Sequence, residues 1–259
     1  MQVRRVSVAV STRAPTGQTS AYVVGRDPAL LVDPAARSDR LDRVAAEQSV
    51  GHVAVTHHHP DHVGAVAAYA DRHDATVWAR RGRTRAFVRA TGRKPDRVFA
   101  EGTSIPTGSG PVRVVDTPGH APEHVGFAAG GDLLCGDLAV AEGSVVVGAP
   151  EGDMRAYLTA LRRVHAMAPD RLCPGHGPVI EEPRAVARRL IDHRLDREAR
   201  VRAAVTDGAR TVEGVCDAAY DKDLDGVRDL ALATVRAHLE KLAVEGDLRF
   251  DGERARPIG

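Results

Sequence analysis

Aromatic side chains are scarce: four Phe, four Tyr and one Trp make up 3% of the 259 residues. Few rings are left on which bases or sugars could stack, so recognition has to work through charge, backbone and bound ions. Cysteine is scarcer still. Cys135, Cys173 and Cys216 form an odd set without a Cys-x-x-Cys spacing, which excludes a disulfide framework and a thiolate zinc site and points to a reducing compartment. Cys135 and Cys173 fall where strand interiors are expected and read as core. Excess charge is lacking too: 36 Lys and Arg stand against 35 Asp and Glu, which excludes a protein built around a uniformly basic nucleic-acid surface. No apolar run reaches the roughly 18 residues of a membrane span, and the opening MQVRRVSVAVST is too short in apolar residues for a signal peptide. The sequence therefore predicts a cytoplasmic protein with no membrane partner.

What is present is a core and a clustered set of histidines. With 259 residues, 43% of them apolar, the chain can build one large domain, or one domain plus a small appendage. Short β-branched runs (VRRVSVAV, SAYVVG, ALLVD, HVAV) surround a charged helical stretch from about Ser38 to Ser49, and a helical pattern VGAVAAYADRH follows HVAV. Further strands are expected at PVRVVD, VGFAA, DLLCGD, SVVVG and RLC, with a helix from about Asp153 to Met167 opened by an acidic first turn. Beyond Pro183 the chain turns to long Ala-, Arg- and Leu-rich helical patterns. It ends in LRFDGERARPI, two strand-like runs about Asp251 and Gly252. The order helix, helix, helix, hairpin resembles a winged helix. No internal repeat and no low-complexity linker occurs, so the expected division is a catalytic α/β domain over 1–180 and a helical domain over 181–259.

Twelve histidines would mean little if scattered, but seven fall in three loop-like segments that each follow a strand. The first, Thr56-His57-His58-His59-Pro60-Asp61-His62, offers imidazoles and a carboxylate close enough together to face two cations. Neutral imidazole and carboxylate suit Zn2+, with manganese or iron as alternatives. His120 lies in TPGH after PVRVVD, and His176 lies in PGHGP after RLC. The strand ends of buried sheets are where such chemistry collects. In an extended segment His58 points away from His57 and His59 and takes a structural role.

In order and spacing, THHHPDHVGA, TPGHAPEHVGF, CGDL and PGHGPVI resemble the motifs of the metallo-β-lactamase superfamily over about residues 3–180. The resemblance implies an αββα sandwich with a dinuclear site at one edge. It implies that His57, His59 and His120 hold the first zinc, that Asp61, His62 and His176 hold the second, and that Asp137 bridges them. It further implies a metal-bridging hydroxide as nucleophile, oriented by Asp61 as the catalytic residue. His124, in HAPEHVGF, matches a position where such proteins often keep His, and is read either as a substrate-side contact or as simple packing.

The metal motif fixes reaction class and leaves the substrate open. The helical tail resembles the β-lactamase-like endoribonucleases, a group that also includes acyl-thioester hydrolases, more than glyoxalase II with its glutathione-binding C-terminal region. Arg80, Arg81, Arg83, Arg85, Arg89, Arg93, Lys94 and Arg97 set eight positive charges against Asp96 within 18 residues. Arg81, Arg83 and Arg85 are therefore candidate contacts to an anionic substrate. The bland reading is a solvated helix in a chain that uses Arg for Lys, with only Lys94, Lys222 and Lys241 as lysines. Residues 181–259 carry 15 basic and 17 acidic residues, a net of −2, which suits dimerisation or shaping of the cleft better than DNA reading. The leading expectation is a dinuclear zinc hydrolase of an acyl thioester or ester, or of single-stranded RNA. Two readings stand against it: a mononuclear iron persulfide dioxygenase, and a winged-helix nucleic-acid-binding protein with a vestigial metal domain.

Overall fold

The computed structural model describes residues 1–221 and 223–258, which fall into two compact units. The first comprises residues 1–117, 123–143 and 168–183. Its chain begins with β1 (Val3–Ala9), β2 (Gln18–Gly25) and β3 (Ala29–Val32), continues through α1 (Asp39–Glu47) to β4 (Val50–Ala54), and then forms α2 (Pro60–Val63), α3 (Val66–His73) and β5 (Thr76–Arg80). There follow α4 (Thr84–Thr91), β6 (Arg97–Phe99), β7 (Ser104–Ile105), β8 (Val112–Asp116), β9 (Val125–Ala129) and β10 (Asp132–Gly136). After α5 (Met154–Met167), β11 (Arg171–Pro174) completes this unit's strands.

Strands β1 to β6 form one sheet in sequence order, antiparallel from β1 to β3 and parallel from β3 to β6. The other sheet runs β11-β10-β9-β8-β7. Alternation along the strands shows how both faces of the first sheet are buried. Ala21, Val23 and Leu31 pack with Leu41 and Ala45 of α1 and Tyr69 of α3, whereas Tyr22, Val24, Leu30 and Val32 pack with Val114, Phe127 and Leu134 of the other sheet. Helix α1 starts where expected because the Ser38 hydroxyl accepts the Leu41 N–H, a Ser N-cap worth about 1 kcal/mol. Strands β5, β6 and β7 carry little alternation and are not anticipated from the sequence.

The second unit comprises residues 118–122, 144–167 and 184–259. It holds α5 together with α6 (Pro183–Thr206), α7 (Val212–Ala219), α8 (Arg228–Glu245) and a hairpin of β12 (Leu248–Phe250) and β13 (Ala255–Pro257). Val205, Val215, Val235, Leu239, Leu242 and Leu248 form its core. Asp153 precedes α5 rather than lying in its first turn: its Oδ1 accepts the N–H groups of Arg155 and Ala156. The SVVVG run is not a strand. Its β-branched residues favour extension, but its backbone is claimed by other partners: Val145 O accepts from Arg194, and the next loop residue, Ala149, donates its N–H to Ala233 O. Cys135, Cys173 and Cys216 are buried free thiols. Among the described residues no helix is long and apolar enough to cross a membrane.

Candidate metal centre

The first histidine loop leaves β4 at its carboxyl end, and His59 precedes α2, whose Pro60 suits a first helical position. In the first unit the ligand atoms of His57, His62 and Asp137 lie within 4.8 Å of one another, as do those of Asp61, His62 and His176. Each imidazole is fixed by a bond at its far nitrogen. The Thr56 hydroxyl gives its one proton to Asp33 Oδ2 (2.7 Å), so towards His57 Nδ1 (3.0 Å) it can only accept. His57 thereby keeps its lone pair on Nε2, which faces His59 Nδ1 at 3.0 Å. His62 Nδ1 donates to Asp33 Oδ2 (3.0 Å) and His176 Nδ1 to the Gln18 carbonyl (2.8 Å), again presenting Nε2. Acceptors of this kind are what set the tautomer and direction of a metal-binding imidazole.

Electrostatics push the same way. Burial opposes charge on His62, yet Asp137 and Asp33 raise its pKa well above the ordinary histidine value. Burial likewise opposes charge on His176, which its bonds to Asp137 and Asp61 push up to about 10. Asp61 resists the upward effect of burial because His176 and Thr12 hold it at about 2; the Thr12 hydroxyl donates to its Oδ2 at 2.5 Å. These carboxylates attract positive charge, whether proton or metal.

Two observations test whether the residues fit metal. His62 Nε2 is fully buried, makes no hydrogen bond and stands 3.5 Å from Asp137 Oδ1. And Gly175 lets the backbone run close to this donor pair, since a Cβ there would come within 2.6 Å of both Asp137 Oδ1 and His62 Cε1. A buried nitrogen lone pair beside a carboxylate suits a divalent cation.

His120 belongs to the second unit, where its Nδ1 donates to Val146 O at 2.7 Å. His58 takes no place among the donors: its N–H donates to buried Glu123 (3.1 Å), its Nδ1 lies 3.3 Å from the same carboxylate and its ring edge meets Phe87. His124 is 1% exposed, its Nε2 accepts the Asp137 N–H (3.1 Å) and its Nδ1 donates to Thr117 Oγ1 (2.9 Å), contacts that fit packing behind Asp137 better than a substrate-side place. Arg81, Arg83 and Arg85 are exposed at the start of α4, away from any carboxylate among the described residues, whereas their neighbour Arg80 forks onto Asp116. Asp33, Thr12 and Glu123 were missed from sequence. Only Asp33 left a signal, a carboxylate directly after a fully buried strand.

A family model described as "Metallo-beta-lactamase superfamily" matches residues 14–176. A "Beta-lactamase-like protein 2 homolog" of Drosophila melanogaster is 32% identical over 78% of this chain and 71% of its own. A "Hydroxyacylglutathione hydrolase" of Halorhodospira halophila is 34% identical over 61% of this chain and 56% of its own. Among solved structures, a metallo-beta-lactamase family protein of Thermus thermophilus superposes with a TM-score of 0.80 at 22% identity, covering 99% of this chain and 98% of the other. With its motifs, its fold and these relatives in agreement, the chain belongs to the metallo-β-lactamase superfamily of metal-dependent hydrolases.

Proposed function

We propose that the chain hydrolyses an acyl thioester or ester with an anionic carrier group at a dinuclear zinc centre. In this reading His57, His59 and His120 take one ion, Asp61, His62 and His176 the other, and Asp137 lies between them. The observation that carries it is the set of imidazoles in the first unit whose Nδ1 atoms are tied to protein acceptors while His62 Nε2 is buried without a hydrogen bond beside Asp137. When bound, zinc lowers the pKa of water towards about 7 and polarises a carbonyl. Asp61, held ionised by Thr12 and His176, would help hold the metal and orient the attacking oxygen. His124 keeps Asp137 in place through its backbone N–H.

The thioester is supported by the name of the Halorhodospira relative and by the surface. Among the described residues no Phe, Tyr or Trp is exposed, so bases would find no stacking platform. Arg81, Arg83 and Arg85 lead into α4, which packs beside α2 and its Asp61, and they hold the anionic end of the substrate by paired N–H donors. The same arginines favour a second reading, cleavage of single-stranded RNA. Residues 1–180 are the catalytic domain in this proposal. The tail over 181–259, with its helices and closing hairpin, is winged-helix-like and supports the site without reading DNA.

The test is hydrolysis of acyl-coenzyme A and acyl-glutathione thioesters, and of end-labelled single-stranded RNA, by zinc-loaded protein with Asp61→Ala alongside. Thioester turnover lost in Asp61→Ala is expected. RNA cleavage lost in that variant, without thioester turnover, would overturn the substrate in favour of the second reading. One iron per chain with sulfur oxidation would favour the persulfide dioxygenase.

A further inference from the structure

Within the second unit a cradle of loop and helix holds His120. Before it, Gly119 lies against the start of α5 so closely that a Cβ would come within 2.3 Å of the Tyr157 backbone, and Gly119 O accepts the Asp153 N–H (2.8 Å). Beside it, Val146 O accepts from its Nδ1. The residue preceding that acceptor, Val145, has its own carbonyl bound by Arg194 of α6, a guanidinium only 3% exposed that also lies 5.6 Å above the Tyr157 ring. Arg194 thus joins the two walls of the cradle, the 144–150 loop and α5. Further along, the loop is pinned to α8 by the bond from Ala149 N–H to Ala233 O, and Gly148 is so close that a Cβ would stand 2.7 Å from Ala233 Cβ.

Burying a guanidinium is expensive, and a loop of Val and Gly needs no cation for packing. Its position is explained if the loop has to present one carbonyl in a fixed place. We infer that Arg194, acting through the Val145–Val146 backbone, is a positioning residue that fixes the tautomer and direction of His120 as a metal ligand. The bond to Val146 O keeps the proton on Nδ1 and the lone pair on Nε2, and Arg194 keeps Val146 O where that bond can form. The inference rests on His120 being a ligand. It gives the C-terminal helices a definite role, that of holding the carbonyl that orients this imidazole.

The experiment measures zinc stoichiometry and affinity by chelator competition, and the visible spectrum of the cobalt-substituted protein, on the full-length chain. Arg194→Met and Gly148→Ala disturb the same loop from opposite sides. Each is expected to weaken one of two ions roughly 10–100-fold, the usual effect of losing an outer partner, and to change the cobalt bands of that ion only. Arg194→Lys should recover part of the loss. Adding Ala233→Gly to Gly148→Ala should restore the site by making room for the new methyl. His120→Ala is the reference. If it leaves both ions bound as in the parent, the ligand reading falls and the inference with it. If it loses one ion while Gly148→Ala binds both with parental affinity and spectrum, only the role of Arg194 is overturned. Gly148→Ala keeps the test alive should Arg194→Met fail to fold.

Discussion

Each unit contains a buried cluster of ionisable side chains, and the two are built on opposite principles. In the second unit Glu198 lies between Lys241 Nζ (2.7 Å) and His238 Nδ1 (3.4 Å), and Glu245 completes the group, so the cation is supplied by the chain itself. In the first unit Asp33, Asp61 and Asp137 lie beside the imidazoles of His62 and His176, whose charge has to be borrowed from protons or metal. A buried cluster with an internal lysine is a structural joint. One whose counter-charge is borrowed is a binding site. The contrast explains why His238 and His62, both completely buried, shift in opposite directions: burial dominates His238 and lowers its pKa, while two carboxylates overcome burial at His62.

The sharpest break of this comparison is removal of the carboxylate proposed to orient the nucleophile. Asp61→Ala should lower turnover by about 10²–10⁴-fold, the size of effect of a positioned group at the reacting atoms, with a circular dichroism spectrum like the parent's. An Asp61→Ala protein with full activity would remove Asp61 from the chemistry. Paired substitutions sharpen it next. Asp137→Asn should lose zinc affinity while barely changing the melting temperature of the metal-free protein. Glu198→Gln should leave zinc affinity alone and destabilise the fold by about 2 kcal/mol, less than a fully buried ion pair because Glu245 still holds Lys241. Zinc titration with parallel melting curves tests both, and the reverse pattern would erase the distinction.

Smaller effects probe the edges. Replacing Arg81, Arg83 and Arg85 together with Ala should raise KM for an anionic substrate about three- to tenfold at low salt, with kcat unchanged and the difference shrinking as salt screens the charges. A KM that does not move would leave these arginines as solvated surface. The smallest effect concerns acid. Because the folded chain keeps His238 below its ordinary value of 6.5, the unfolded chain binds that proton more readily, and stability falls as pH drops through 6.5. His238→Leu should flatten the decline in Tm between about pH 7 and 5.5. Glu198, held low by its partners despite burial, adds its own loss only at lower pH, below its ordinary value of 4.5.

The candidate donors stand out in the sequence because they sit in four short motifs, THHHPDH, TPGH, CGDL and PGHGP, each at or close after the end of a strand. What orients them was not, because orientation comes from distant chain. Thr12 reaches Asp61 across 49 positions and Asp33 reaches His62 across 29, distances at which spacing carries no signal. The same limit shows at two further places. His124 lies in a motif whose spacing leaves substrate contact and packing open, and the fold shows its nitrogens bonded to Thr117 and the Asp137 backbone. SVVVG has the composition of a strand, but the bonds from Arg194 and to Ala233 hold it out of any sheet. Local preference predicted the helices well where a cap was present, as at Ser38 and Thr211, and failed for the short β5 to β7 strands that exist only through their neighbours.

Gly175 gives this centre an unusual vulnerability. Its backbone is anchored on both sides, by its N–H to Gly136 O and by its carbonyl to the Ser20 N–H, so the residue cannot retreat. A single methyl there would stand within 2.6 Å of Asp137 and His62. Alanine would thus have to push Asp137 and His62 aside, disturbing the candidate centre while every candidate donor stays in the sequence. An inventory of donor residues would score parent and variant alike.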